Sequence, residues 1–581
     1  MEKAKLKAFE VALDAELAAL LSLTTEGRET LNLIANFHEV VAAQDRSLGS
    51  YVKDGAVIMA PHLIAGRTGP MPDVEVLAKD LQFAAHYYML REYIYYSYNV
   101  PNALTWTFTS DRVEIRFLDR TIPRQFFTVY NDTLVGSHDL FSGFPHGPEI
   151  RRLLNGRSEW DQSPAVQQAF ALIDQEVSLK LSAYFSLLPS DSAIDLGGYT
   201  YAQFMVLYRG LLGKALYHRY HAELNDSVGA VFIGDEELAE AAWDESGLPA
   251  DVTQAILADI VYDPTAVKAR ADASYYSLYR EPGHGGRIVL RPHHFALAEG
   301  LVNLLRIIAQ RRPQIFLDRL SNEIGSAFVR RAKTAWEAQG FICQTEVPLR
   351  DIDASLPDID LLVISEEPTL GFVIFVCELK SPLPPRWAKD QLKVLNRDSV
   401  SKAFRQTEKI RAFLSTSHGA DFIRRVVPSD KIPDFDGFVI AIQSLIITSD
   451  NAGMFFGHET TPIVNFRTLE RLLDRSDGDM AYIQKMLAAY NQAADATLQT
   501  TFAEFEVAGR TVSYEAVTSS PVLDFPRVQW RSSPNRQAMI DAFKADGAHP
   551  FDALPVDPRS RPDWGASNGV IFIREPDADS K

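Results

Sequence analysis

Apolar positions along this chain follow two periods, and the places where one gives way to the other outline its elements. Leu13, Leu17, Leu20 and Leu21 fall at helical spacing, and the run from Val74 to Tyr98 continues that period as one long helix. Six tyrosines decorate that run: Tyr87, Tyr88, Tyr93, Tyr95, Tyr96 and Tyr98. They read as a buried helix with hydroxyls at its edges, ahead of a platform for stacking bases. From 103 to 135 the period shortens to two. ALTWTFTS, DRVEIRFLD and RQFFTVYND alternate apolar and polar residues with β-branched and aromatic ones, as antiparallel strands do. Helical spacing returns over 160–270, with two short helices separated at Gly247-Leu248-Pro249. EPGHGG at 281–286 marks a turn and the predicted domain boundary.

Beyond 286 the pattern becomes ordered. GRIVLRP predicts a short strand, HHFALAEGLVNLLRIIAQ a helix, and IFLDRLSNEIGSAFVRRAKTAWEAQGF a longer helix ended at Gly340. FICQTEVPL, PDIDLLVIS and FVIFVCELK are three strands, 400–414 a helix, and FDGFVIAIQSLIIT another buried strand. The order helix–strand–strand–strand–helix–strand is an α/β layer arrangement. Three regions are expected. Residues 1–285 form a mainly helical N-terminal region with a small antiparallel β element near 103–135. Residues 286–450 form the α/β domain, and 451–581 a helical extension ending in a loosely ordered tail rich in Pro and Asp.

Composition narrows the setting. A chain of 581 residues exceeds what one core holds, so a multidomain α/β (α+β) protein is expected. No apolar run approaches the roughly 18 to 20 residues of a membrane helix, and the N-terminal stretch lacks the pattern of a secretory signal. With only Cys343 and Cys377 there is no disulfide framework, and a cytoplasmic location is expected with no membrane partner. The net charge of −18 argues against a phosphate-binding surface spread over the whole chain, but local patches decide binding.

One such locality stands out. Side chains on a strand alternate faces, so Asp358 and Asp360 share one face of PDIDLLVIS, while Glu378 and Lys380 share one face of FVIFVCELK. Charged groups at the ends of otherwise apolar strands are costly unless paired or coordinated. Two carboxylates and a lysine on hairpin-linked strands can converge on one point, and a hard divalent cation suits such oxygen donors. His293-His294 and His284 lack a metal-ligand partner at useful spacing and read as polar surface or cap residues. Gly283-His284-Gly285-Gly286 lacks the marks of a nucleotide-binding loop.

Asp358-Ile359-Asp360-Leu361-Leu362 followed by a strand ending Glu378-Leu379-Lys380 resembles the PD-(D/E)xK nuclease superfamily over about 315–450. The resemblance implies a restriction-endonuclease-like mixed sheet flanked by helices. It implies that Asp360 and Glu378 hold Mg²⁺ or Mn²⁺ with the carbonyl of Leu379, and that Lys380 is the catalytic lysine. Asp358 competes with Asp360 as principal ligand. Glu323, on the helix before the first strand, is the expected additional metal-site glutamate, and Gln406, on the helix after the lysine strand, the expected glutamine, with Gln391 in reserve.

Charge fits this reading. From Lys380 to Arg425 eleven basic residues face four acidic ones, a local balance of +7. Lys389, Lys393, Arg397, Lys402, Arg405 and Lys409 are the expected contacts to a phosphate backbone. The sequence therefore predicts a metal-dependent endonuclease acting on DNA ahead of RNA, with restriction or anti-phage defence as the analogous role. A catalytically silent binding module on the same fold, or a nuclease held off until a partner arrives, are the alternatives. The N-terminal region would recognise substrate, sense a trigger, or mediate homo-oligomer or partner assembly.

Overall fold

The computed structural model describes residues 2–63, 70–71, 73–118, 144–158, 161–183, 188–263, 273–282, 287–367, 371–383, 387–393, 399–427, 437–449, 461–480, 482–484, 486–487, 498–507, 509–519 and 568–574. These form a mixed α/β protein in two units. One gathers the described residues within Met1–Asp119, Gly136–Glu323 and Thr500–Ala516; the other gathers those within Ile324–Gln499 and Val517–Lys581. Among the described residues, no helix is long and apolar enough to cross a membrane.

The first unit is mainly helical. Asp73 caps the helix Val74–Asn99 by accepting the Glu75 N–H at 2.7 Å. Leu77, Leu81 and Ala84 of that helix share a core with Leu17, Ile34 and Met59. Tyr88, Tyr93 and Tyr96 of the same helix are buried, which fits the packing reading of the tyrosine run. Strands Leu104–Phe108 and Arg112–Phe117 pair antiparallel as the alternation predicts, while the third predicted strand, RQFFTVYND, lies outside the described residues.

Three features of this unit differ from the sequence reading. Residues 498–519, expected within a helical extension, form strands Leu498–Val507 and Arg510–Ser519, and the second pairs in parallel with Arg112–Phe117. A local period cannot announce partners some 400 residues away. The helix predicted from His293 breaks in two, Pro292–Phe295 and Gly300–Arg311, across Ala298 at φ 57°. Gly300 is required there, because a Cβ would stand 2.6 Å from the Tyr208 ring. The expected boundary at 286 also moves. Strand Ile288–Leu290 pairs with Val231–Ile233 and Leu278–Arg280, and Arg311 and Arg312 both bind Asp259, which ties the second helix to the first unit as far as Glu323.

His293 and His294 are not surface residues. Glu39, fully buried, accepts the His293 N–H at 2.7 Å, the His294 N–H at 3.3 Å and a contact from His293 Nδ1 at 3.0 Å. His284 lies outside the described residues.

The second unit is built on an apolar sheet. Its strands are β1 (Ile342–Val347), β2 (Ile359–Glu367), β3 (Gly371–Lys380), β4 (Gly437–Thr448), β5 (Ile463–Asn465) and β6 (Asn568–Arg574). Their order is β5-β4-β3-β2-β1, with β6 also on β4. β1, β2 and β3 pair antiparallel, β3 and β4 parallel, and β4 runs parallel to β5 and antiparallel to β6. The tail at 568–574, expected to be loosely ordered, is therefore a sheet strand. β2 and β3 bury both faces, which explains their unbroken apolar runs.

Helices cover both faces. Here α1 is Ser321–Glu337, α2 Ala388–Lys393, α3 Val400–Leu414, α4 Ser417–Val426 and α5 Phe466–Ser476. Trp336 of α1 is fully buried, with its ring 5.7 Å from Phe375 on one face. Ile410 and Leu414 of α3 and Phe422 and Ile423 of α4 pack with Leu362, Ile364, Ile374 and Val376 on the other. One turn of π-helix, Phe316–Leu320, leads into α1, and Gly340, at φ 83°, follows its end where the sequence places the stop.

The Glu39 cluster makes a testable demand on stability. Burial opposes ionisation of Glu39, but the hydrogen bond from His293 and the His38 ring 3.6 Å away outweigh it and hold the carboxyl down at about 2. A carboxylate depressed below its ordinary value stabilises the fold above pH ~4.5, and that contribution disappears as pH falls toward ~2. Over this window Glu39 contributes about 3 kcal/mol, so Glu39→Gln should flatten the acid limb of stability measured by denaturant unfolding followed by circular dichroism. An unchanged acid limb would contradict this role.

Candidate metal centre

β2 begins at Ile359 and β3 ends at Lys380, and their pairing places Leu361 opposite Cys377. One step further along the same register sets Asp360 opposite Glu378, on the same face, the closest approach two side chains have across antiparallel strands. Lys380 follows two residues later on that face. Three of the predicted residues therefore meet at one end of the sheet.

Their contacts are direct. Asp360 Oδ2 accepts the backbone N–H of Leu379 at 2.7 Å and lies 3.6 Å from Lys380 Nζ. Lys380 Nζ donates to Glu378 Oε1. Glu378 is 1% exposed, and its second oxygen, Oε2, is buried without a hydrogen-bond partner. Burial pushes the Glu378 carboxyl up to about 7; Lys380 opposes the shift and the neighbouring Asp360 carboxyl adds to it.

The face that carries this group is covered by α3. Glu378 stands beside Ile446 of β4, and Ile446 packs with Val400 and Ala403 from the first turn of α3. Gln406, one turn further along α3, is half-buried with a buried Oε1 lacking a hydrogen-bond partner. Lys402, Arg405 and Lys409 occupy the opposite, exposed side of the same helix, because its buried side is taken by Val400, Ala403, Thr407, Ile410 and Leu414. Lys389 and Lys393 are exposed on α2, and Arg397 lies outside the described residues.

Asp358 is employed elsewhere. It precedes β2, and its Oδ1 accepts the N–H groups of Leu349 and Arg350 at 3.2 and 3.3 Å, while Oδ2 is 3.4 Å from Arg350 Nε. The shared face expected for Asp358 and Asp360 requires both to be in the strand, and Asp358 is not. It closes the connection between β1 and β2. Glu323 stands in the first turn of α1, the helix that covers the other face of the sheet.

Sequence reasoning overlooked Thr448 and Ser449. Thr448 stands beside Lys380 in the β3–β4 register, and the Ser449 N–H donates to the Lys380 carbonyl at 2.9 Å. These contacts fix the backbone of the lysine. Their only sequence signal is that the apolar run of β4 turns polar where β3 does.

Among the described residues, no three His, Cys, Asp or Glu side chains form a ready-made ion site. The donor set at the sheet end is two carboxylates, one with a buried oxygen that nothing else satisfies, and the backbone carbonyl of Leu379 is adjacent in sequence. Mg²⁺ is commonly held by one or two carboxylates while keeping several waters, so these residues fit it.

The contacts predict opposite responses at Glu378. Asp360→Asn removes a neighbouring carboxylate and should lower the Glu378 pKa; Lys380→Met removes the cation and should raise it; Asp358→Asn should leave it in place. Carbon-detected NMR titration of the carboxyl measures all three. A shift with Asp358→Asn as large as that with Asp360→Asn would overturn the geometry.

No protein-family model, curated protein or solved structure matches this chain, so its own residues carry the functional argument.

Proposed function

We propose that this protein is a metal-dependent nuclease hydrolysing phosphodiester bonds, with DNA as the substrate. The observation that supports it most is the meeting of Asp360, Glu378 and Lys380 at the end of a buried sheet, two carboxylates and one ammonium within direct contact. The PD-(D/E)xK pattern that these residues complete, and the strand–strand–strand–helix–strand order around them, support the same reading.

In this reading Asp360 and Glu378 hold Mg²⁺ or Mn²⁺, with the carbonyl of Leu379 as a third ligand. The cation, when bound, neutralises phosphate charge and makes a water more acidic. Lys380 orients the attacking water through Nζ and offsets negative charge growing on the phosphate oxygens. Asp360 also receives the Leu379 N–H, so the ligand carboxylate and the backbone of the neighbouring strand are fixed together. Lys402, Arg405 and Lys409, spaced along one exposed face of α3, together with Lys389 and Lys393, form the surface for the phosphate backbone. Gln406 orients substrate from α3, and Glu323, expected as an additional metal-site glutamate, is not part of the site in this reading. Asp358 is a turn residue in this account.

Incubation of plasmid and single-stranded DNA with the full chain and Mg²⁺ or Mn²⁺ tests the reading. Cutting is expected, and Asp360→Ala or Lys380→Ala should each slow it by about a hundredfold or more. The triple change Lys402→Ala, Arg405→Ala, Lys409→Ala should weaken DNA binding and reduce its salt dependence by a slope of about two to three. DNA binding without cutting in the parent protein would favour a silent module. Cutting that survives both site substitutions would remove the site from the mechanism.

A further inference from the structure

The ammonium of Lys380 has an unusual position for a group meant to face substrate. Its Nζ contacts Glu378 Oε1 and stands 3.6 Å from Asp360 Oδ2, so it bridges the two carboxylates. That is the place a cation held by both would take. The lysine side chain is 16% exposed and Glu378 is buried, so the bridge is screened from water on most sides. Two carboxylates facing each other across a strand pair repel, and one positive charge beside both offsets that repulsion, where the preceding side chains on that face of β3, Phe372, Ile374 and Val376, are apolar and buried.

We propose that Lys380 is a built-in stand-in for the metal: its ammonium holds the two carboxylates together in the metal-free protein, and a divalent cation must displace it. The inference rests on the metal site proposed above and adds how that site is regulated. A doubly charged ion satisfies both carboxylates and the unpartnered Glu378 Oε2, which one ammonium leaves without a bond. The displaced Nζ then turns outward on its four-carbon stem, toward the end of the sheet where substrate phosphate would lie. Metal binding and release of the lysine become one event, and the lysine is withheld from substrate until the metal is present. The site needs no separate lid to stay inactive without metal, because its own lysine closes it.

The exchange has two consequences that can be measured without cleavage. Breaking the Lys380 bridge opposes metal binding, so Lys380→Met, which keeps an apolar stem and removes the charge, should bind Mn²⁺ alone more tightly. Titration calorimetry at one mildly alkaline pH should show about tenfold tighter binding, equivalent to about 1.4 kcal/mol. In the parent protein, saturating Mn²⁺ should raise acetylation of Lys380 severalfold, read by mass spectrometry, while Lys402 and Lys409 on the exposed face of α3 change little. The second measurement needs no variant and stands even if the substitution disturbs folding. Mn²⁺ binding to the parent protein with no rise in Lys380 labelling would overturn the exchange, as would a well-folded Lys380→Met that binds Mn²⁺ no more tightly. Failure of both proteins to bind Mn²⁺ would instead overturn the metal site itself.

Discussion

A carboxylate buried at the end of an apolar strand is the constraint around which the second unit is arranged. Glu378 follows Phe375, Val376 and Cys377, all buried, and is itself 1% exposed. An unpaired charge in that position costs several kcal/mol. The cost is met locally by Lys380 two residues on and by a carboxyl raised to about 7, so the site is held between protonation and pairing. Asp360 is kept beside it by the register of β2 on β3 and by the Leu379 N–H. Moving that register by one residue would send Asp360 to the other face and leave Glu378 with the lysine alone.

The rest of the unit secures that register. β2 and β3 are buried on both faces, between Trp336 of α1 and the apolar side of α3 and α4, so neither strand can slip without exposing a core face. The Asp358 carboxylate fixes the connection between β1 and β2 just before Asp360. α3 serves twice: Val400, Ala403 and Ile410 hold the sheet, while Lys402, Arg405 and Lys409 face outward. A helix that packs by its apolar stripe necessarily presents its other side, and here that side is basic inside a chain of net charge −18.

The sequence made the second unit legible because its signals are local. The strands of β1 to β4, the helix at 400–414 and the stop at Gly340 follow from period and turn chemistry, and Asp360, Glu378 and Lys380 follow from alternation along two strands. What it concealed depends on distant partners. Nothing in residues 498–519 announces that they join the strands at 104–117, and nothing at 568–574 announces β6 on β4. Asp358 was misplaced for a smaller reason: alternation holds only inside a strand, and β2 starts one residue later. His293 and His294 read as polar surface or cap residues because the carboxylate that receives their N–H groups, Glu39, lies more than 250 positions earlier.

Asp360 and Glu378 are proposed to form a divalent-cation site together. A crystal structure grown with Mn²⁺, with the ion located by its anomalous signal, tests it most directly. One ion bonded to both carboxylates is expected, with Lys380 Nζ turned away from Glu378. An ion bound at Asp358, or no ion at the sheet end with Lys380 still bridging the two carboxylates, would contradict it.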